Sequence, residues 1–217
     1  TAGRGRRGAT WVSPPGAGLY MSLVLRPKRV LEPAATTMGA GLAMRAALVE
    51  LGLARVELKW PNDLLVDGAK LCGILAETRG LDPRSPHCVL GIGVNVTQRE
   101  FPAELVRERA VTSLALCGVH TDPRAVLACA LPHLSREMER VENDPRPTLQ
   151  AYFAATGLAG RLVRVRAGEL EVEGTWRALD LERGLTLAQS DGSSREIRLE
   201  HVRSLVALSL HSSPPET

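Results

Sequence analysis

Lys59, Trp60, Pro61, Asn62 and Asp63 place a cation, an indole, a rigid turn, an amide and a carboxylate in one short segment. Proline holds the residue before it in extended backbone and fixes the loop, so the polar side chains can converge over a neighbouring surface. Taken alone, the same segment also reads as a strand connection in which Asn62 and Asp63 cap a turn. Lys70 follows close behind, across the dipeptide Asp67-Gly68. A second group is Gly3, Arg4, Gly5, Arg6, Arg7 and Gly8. Glycine lets backbone N–H groups approach an anion, while guanidinium forks bind phosphate or carboxylate in bidentate fashion. A solvated basic terminus, common in RNA-binding tails, is the other reading of that stretch. Its three glycines formally match a dinucleotide fingerprint. That fingerprint requires a preceding strand and a following helix, and residues 11–16, WVSPPG, cannot open one.

The elements that must position these groups are legible from periodicity. Residues 19–25 are largely β-formers. Residues 33–51 read as a helix, with Pro33 near its start, an Ala/Leu/Met body and Gly52 at its end. Another strand starts at residues 55–58. Residues 64–66 and 70–75 flank Asp67-Gly68, a type I′ hairpin signal. A two-residue loop there pairs Val66 with Ala69 and Leu65 with Lys70, leaves Asn62 or Asp63 near Cys72, and makes Asp63 and Lys70 diagonal neighbours about 7–8 Å apart. Along residues 88–96, Leu90, Ile92, Val94 and Val96 form an apolar face, and Gly91, Gly93 and Asn95 form the other. That second face is bare enough for a ligand to lie on, or its glycines admit a bulge or a neighbouring backbone. Helices are expected over residues 123–141 and 148–156, separated by a breaker at 143–147. After Gly157 short strands alternate with glycines, as in a small SH3-like barrel. The expected organisation is a catalytic domain at 1–157, an SH3-like domain at 158–210 and a disordered tail at 211–217.

Composition narrows the functional classes. The chain has 217 residues, of which 44% are apolar and only 3% aromatic, so its core must be built of Leu, Val, Ala and Ile. Residues 1–31 carry six basic side chains and no acid, while the rest has 21 basic against 24 acidic residues. A locally basic segment on a slightly acidic body indicates a site for one anionic ligand rather than a general nucleic-acid surface. Cys72, Cys88, Cys117 and Cys129 lack paired metal-ligand spacing and read as reduced, apolar side chains in a cytoplasmic protein. No apolar run approaches the roughly 20 residues of a membrane span, and the opening residues lack the apolar stretch of a signal peptide.

In combination these motifs are more specific. GRGRRG followed by Trp11-x-Ser-Pro, then GAGLYMSL, KWPNDLLV, KLCGIL and GIGVNV, resembles the biotin protein ligases in order and spacing, from the first residue to about Leu208. The resemblance implies an α/β (α+β) catalytic domain with a central mixed sheet, then the small barrel. It implies ATP-dependent ligation of biotin to a lysine of a biotin carboxyl carrier protein through biotinyl-5′-AMP, with Mg²⁺. Arg4, Gly5 and Arg6 would lie near the biotin carboxylate and the phosphates, Lys70 would contact biotin, and Gly73 would leave room beside it. Lys59 would sit near the α-phosphate, Trp11 would line the adenylate pocket, and Asn62, Asp63 and Asn95 would lie near the nucleotide, with Asn62 and Asn95 as magnesium ligands. Arg6, Lys59, Asp63 and Lys70 would carry the catalysis.

Two departures accompany the likeness. Ala9 stands where many relatives have a basic residue, and the family's upstream Ser/Thr-rich segment and glutamine have no counterpart before Thr1, which leads to an expectation of weak biotin binding. An N-terminal helix-turn-helix has no room here, so no DNA binding through one is expected; a homodimer through the sheet is implied by resemblance. A lipoate or octanoate ligase or transferase of the same fold is the rival enzyme, and a non-catalytic nucleotide- or RNA-binding module is the rival of another class.

Overall fold

The computed structural model describes residues 3–5, 8, 10–77 and 86–208. A short hairpin, β1 (Gly3–Arg4) with β2 (Thr10–Trp11), precedes β3 (Gly18–Leu25), α1 (Pro33–Glu50), β4 (Glu57–Lys59), β5 (Asp63–Val66), β6 (Ala69–Glu77) and β7 (Cys88–Asn95). Among the described residues, strands β2 and β3 rather than an α-helix follow the arginine loop, in keeping with the rejection of a dinucleotide fingerprint. Five strands pair in the order β3-β7-β6-β5-β4, and each pairing is antiparallel. The sheet is therefore not mixed as expected. The reason is topological: β5, β6 and β7 each return beside their predecessor, and α1 carries the chain from one edge strand to the other.

Strand periodicity gives the sheet two unlike faces. Leu19, Val94, Cys72, Leu64 and Leu58 stand opposite one another across all five strands, and all are buried. Each leucine or valine so buried contributes about 1.5–3 kcal/mol relative to exposure. Burial also pushes the Cys72 thiol well above its ordinary range, which suits the inert, apolar role expected of it. On this face Leu58 and Ile74 meet α1 at Gly41. α1 is buried nearly all round, from Ala35 to Leu48, because α3 (Pro123–Asn143) and α4 (Arg146–Ala155) cover its other side. Asp122 caps α3 by accepting from the N–H groups of Arg124 and Ala125. The break between α3 and α4 is shorter than the five-residue breaker expected. Asp144 closes it by accepting from the Arg146 N–H and guanidinium. The six-residue α2 (Ala103–Glu108) lies outside the sequence expectations.

The C-terminal strands are β8 (Leu162–Ala167), β9 (Leu170–Asp180), β10 (Gly184–Ala188), β11 (Ser194–Ile197) and β12 (Val202–Ala207), ordered β11-β10-β9-β8-β12 and antiparallel throughout. β11 and β12 are its two edges, so among the described residues the pairing is that of an open sheet rather than a closed barrel. Val163, Val165, Trp176, Leu185 and Leu187 are fully buried within it. Phe153 of α4 meets Trp176 edge-on at 4.7 Å, joining this sheet to the helices. The tail at 211–217 lies outside the described residues. Among those described, no helix is long and apolar enough to cross a membrane.

Candidate active site

The sheet face away from α1 carries a second cross-strand row. Tyr20, Gly93, Gly73, Asp63 and Lys59 stand in register across β3, β7, β6, β5 and β4. The row therefore runs from a phenol over two glycines to a carboxylate and an ammonium. A cavity of about 1000 Å³ opens above it, enough for a ligand larger than a single small metabolite. Asp63 faces Gly73 rather than Cys72, which corrects the expected hairpin register. The cause is a β-bulge: the partner of β5 jumps from Lys70 at Leu65 to Cys72 at Leu64, leaving Leu71 unpaired. Asp67 and Gly68 both have positive φ, as a type I′ turn requires. Bulges re-aim side chains, and here Lys70 Nζ lies 2.7 Å from Asp63 Oδ1, with side-chain exposures of 15% and 19%.

The glycine face is not bare. The Trp11 indole rests on it, so closely that a Cβ added at Gly93 would lie 2.6 Å from Trp11 Cε2, and one at Gly73 would lie 2.7 Å from Cζ3. Lys70 Nζ stands 5.3 Å from the same ring, within cation–π range. The absence of side chains at Gly73 and Gly93 is what lets an indole settle there, so the expectation of an uncovered shelf gives way to a shelf covered by β2. The indole N–H groups of Trp11 and Trp60 are buried without an acceptor among the described residues. Both tryptophans line the cavity. The Trp60–Pro61 peptide is cis, and Trp60 packs edge-on against Tyr152.

The two asparagines serve the scaffold. Asn62 donates from Nδ2 to the Ile74 carbonyl at 2.9 Å, and its own carbonyl accepts from the Ile74 N–H. These bonds tie the Trp60–Asp63 turn to β6. Asn95 donates to the Thr112 carbonyl at 2.8 Å, and its Oδ1 accepts from Gln98. The segment it holds grips Lys70 from outside: the Lys70 N–H donates to Ala110 and its carbonyl accepts from Thr112. Asn95 is buried and does not line the main cavity; it borders a small crevice beside Trp11, Lys70 and Arg109. Asn95, buried outside the main cavity, is therefore not placed to share a magnesium ion with Asn62 there.

A sequence model described as the Biotin/lipoate A/B protein ligase family matches residues 1–95. The chain is 34% identical to a biotin–[acetyl-CoA-carboxylase] ligase of Paracoccus denitrificans over 189 residues, covering 82% of this chain and 77% of that protein. The chain belongs to the biotin protein ligase family. It is also 33% identical to the bifunctional ligase/repressor BirA of Escherichia coli strain K12 over 195 residues, which is 88% of this chain. The match spans only 60% of BirA's length. Among solved structures, a biotin protein ligase from Aquifex aeolicus in complex with biotin and ATP superimposes with a TM-score of 0.77 at 28% identity, covering 94% of this chain and 84% of that one.

Of the ligase site residues expected from sequence, Arg4, Gly5, Trp11, Lys59, Asn62, Asp63, Lys70 and Gly73 line one cavity. Arg6 lies outside the described residues, and Asn95 lies beside the cavity rather than on it. Sequence reasoning missed Tyr20, Arg109 and Arg203, which also line the cavity. Tyr20 could have been found: it falls within GAGLYMSL, at the strand position facing Gly93. Burial raises its phenol pKa, partly offset by the Gln98 hydrogen bond, so it stays a neutral hydroxyl that accepts from Gln98. Arg109 follows α2 and Arg203 comes from β12, and no local pattern connects either to the rest.

Proposed function

We propose that this chain catalyses ATP-dependent ligation of biotin to a lysine of a biotin carboxyl carrier domain, through biotinyl-5′-AMP. The observation that carries the reading is the row from Tyr20 to Lys59, with Lys70 drawn over it by Asp63. It sets an apolar half, where Trp11 covers Gly73 and Gly93, beside a half furnished with two ammonium groups and a carboxylate. Such a division suits a ligand with a neutral ring system at one end and a carboxylate at the other.

In the first half-reaction a biotin carboxylate oxygen attacks the α-phosphorus of ATP and pyrophosphate leaves. Two anions must approach, so fixed cations lower the barrier most when they are held in place beforehand. Lys70 is held by Asp63 on one side and by the 110–112 backbone on the other. Lys59 projects at the far end of the row and Arg4 at the rim; Arg6 is assigned the same task by family resemblance. In the second half-reaction the carrier amine attacks the acyl carbon, loses a proton and expels AMP. Asp63, whose carboxylate lies in the row, is assigned to receive or orient that proton. The C-terminal sheet is read as an SH3-like module whose Arg203 and Ser204 complete the cavity rim. The proposal includes a second copy docked through the sheet, whose β3 edge has no strand beside it among the described residues.

Biotin-dependent exchange of pyrophosphate into ATP tests the reading. Exchange that requires biotin supports it. Exchange that requires lipoate would transfer the site to the rival ligase chemistry, and RNA binding without exchange would leave only a binding module.

A further inference from the structure

Far from the cavity, on the helical layer behind the sheet, the last turn of α1 meets the middle of α3. Glu50 is the final residue of α1, and Cys129 and His133 lie on α3 four positions apart. Residues at i and i+4 stack on one helix face, one turn apart, so the thiol and the imidazole point to the same place. His133 Nε2 is 2.8 Å from Glu50 Oε2. Cys129 interacts with the Glu50 carboxylate, and its Sγ donates to the Ala47 carbonyl at 3.5 Å. One ligand atom from each of the three residues lies within 4.8 Å of the others. Among the described residues no other group of three such side chains converges this way.

We propose that Glu50, Cys129 and His133 form a zinc site that staples the C-terminus of α1 to α3. The chemistry of the set points to zinc: a thiolate and an imidazole favour a borderline-soft divalent ion, and a carboxylate completes three protein ligands, with water in the fourth position. A tetrahedral ion with Zn–S of about 2.3 Å and Zn–N or Zn–O of about 2.0–2.2 Å spaces its ligand atoms roughly 3.3–3.7 Å apart. The His133–Glu50 separation of 2.8 Å would have to widen by under about 1 Å to match, and all the ligand atoms already lie within 4.8 Å of one another.

Two further features suit a cation here. The C-terminus of α1 carries the negative end of the helix dipole, and its last turn has no basic residue to offset it. The Glu50 side chain is 65% exposed and that of His133 20%, so ion and water both have access. Binding sends the thiol proton to solvent, shifts the imidazole proton from Nε2 to Nδ1 and breaks the direct His133–Glu50 contact.

The test uses the full chain, reduced and freed of metal, titrated calorimetrically with Zn²⁺ alone and spectroscopically with Co²⁺. The site predicts one equivalent taken up, a thiolate-to-cobalt charge-transfer band, and a Tm raised by roughly 5 °C or more at hundredfold excess over Kd. Cys129→Ser should abolish the band, and both Cys129→Ser and His133→Ala should weaken uptake by more than about tenfold. Both residues are only partly buried, and circular dichroism of each variant verifies its fold. No uptake by the parent chain, or uptake unchanged in both folded variants, would overturn the proposal. Neither result bears on the biotin reading, because none of the three residues lines the cavity.

Discussion

The pairing of Lys70 with Asp63 should show up as a coupling energy in folding before any substrate is added. At 2.7 Å, two unit charges attract by roughly 6 kcal/mol at an effective dielectric of about 20. Removing both side chains from most of their water offsets much of that gain. The pair is neither fully buried nor fully exposed, so its net worth falls between the two regimes, at about 1–3 kcal/mol. Lys70→Ala and Asp63→Ala should each destabilise the chain by about that amount, because each leaves one largely desolvated charge behind. Lys70→Ala should lose about 0.5–1 kcal/mol more through its contact with the Trp11 ring. The double variant should cost less than the sum by about 1–3 kcal/mol. Urea denaturation of the four proteins, at low ionic strength and again near 1 M salt where the Debye length is about 3 Å, measures the coupling. Most of it should survive the salt. Additivity to within about 0.5 kcal/mol would show that the close contact holds nothing in place, and the account of how Lys70 is aimed would fail with it. In ligand binding, Lys70→Ala should weaken biotin by about tenfold or more, the loss of one charge-assisted hydrogen bond; an unchanged calorimetric Kd would remove Lys70 from the biotin site.

Asp63→Asn should slow transfer to the carrier more than adenylation, as single-turnover assays from preformed biotinyl-AMP would show; equal losses would instead assign Asp63 to nucleotide binding. Gly93→Ala should push Trp11 off the sheet, because its Cβ would come within 2.6 Å of the indole, whereas Gly91→Ala meets nothing nearer than 3.6 Å. The first should alter tryptophan fluorescence and the second should not, and identical spectra for both would place Trp11 elsewhere. Acid stability should depend on Asp180, whose pKa is lowered chiefly by the N–H groups of Arg183 and Glu182. A depressed carboxylate stabilises the fold above its ordinary pKa of about 3.9 and loses that contribution as pH falls through the lower folded value. Asp180→Asn should therefore flatten the fall of Tm below about pH 4, and an unaltered slope would exclude the turn as a source of acid sensitivity.

Local chemistry in the sequence determined much of this protein. Asp67-Gly68 encoded the hairpin, because only residues tolerant of positive φ complete a type I′ turn. The alternation from Cys88 to Val96 encoded a two-faced strand, because side chains switch sides at every residue. Pro33 and Gly52 framed α1, and KWPND, GRGRRG and the glycine strand together carried the family resemblance and part of the cavity lining. Tertiary structure decided the rest, because each remaining feature depends on partners distant in sequence. The bulge that swings Lys70 onto Asp63 arises where the 110–112 segment grips β6, and that segment is itself held by Asn95. The covering of Gly73 and Gly93 by Trp11 depends on how β2 folds back over the sheet. The open pairing of β8 to β12 is a matter of register that short glycine-bounded strands leave free. Cys129 and His133 share a helix face by spacing alone, but only the packing of α3 against α1 brings Glu50 to them.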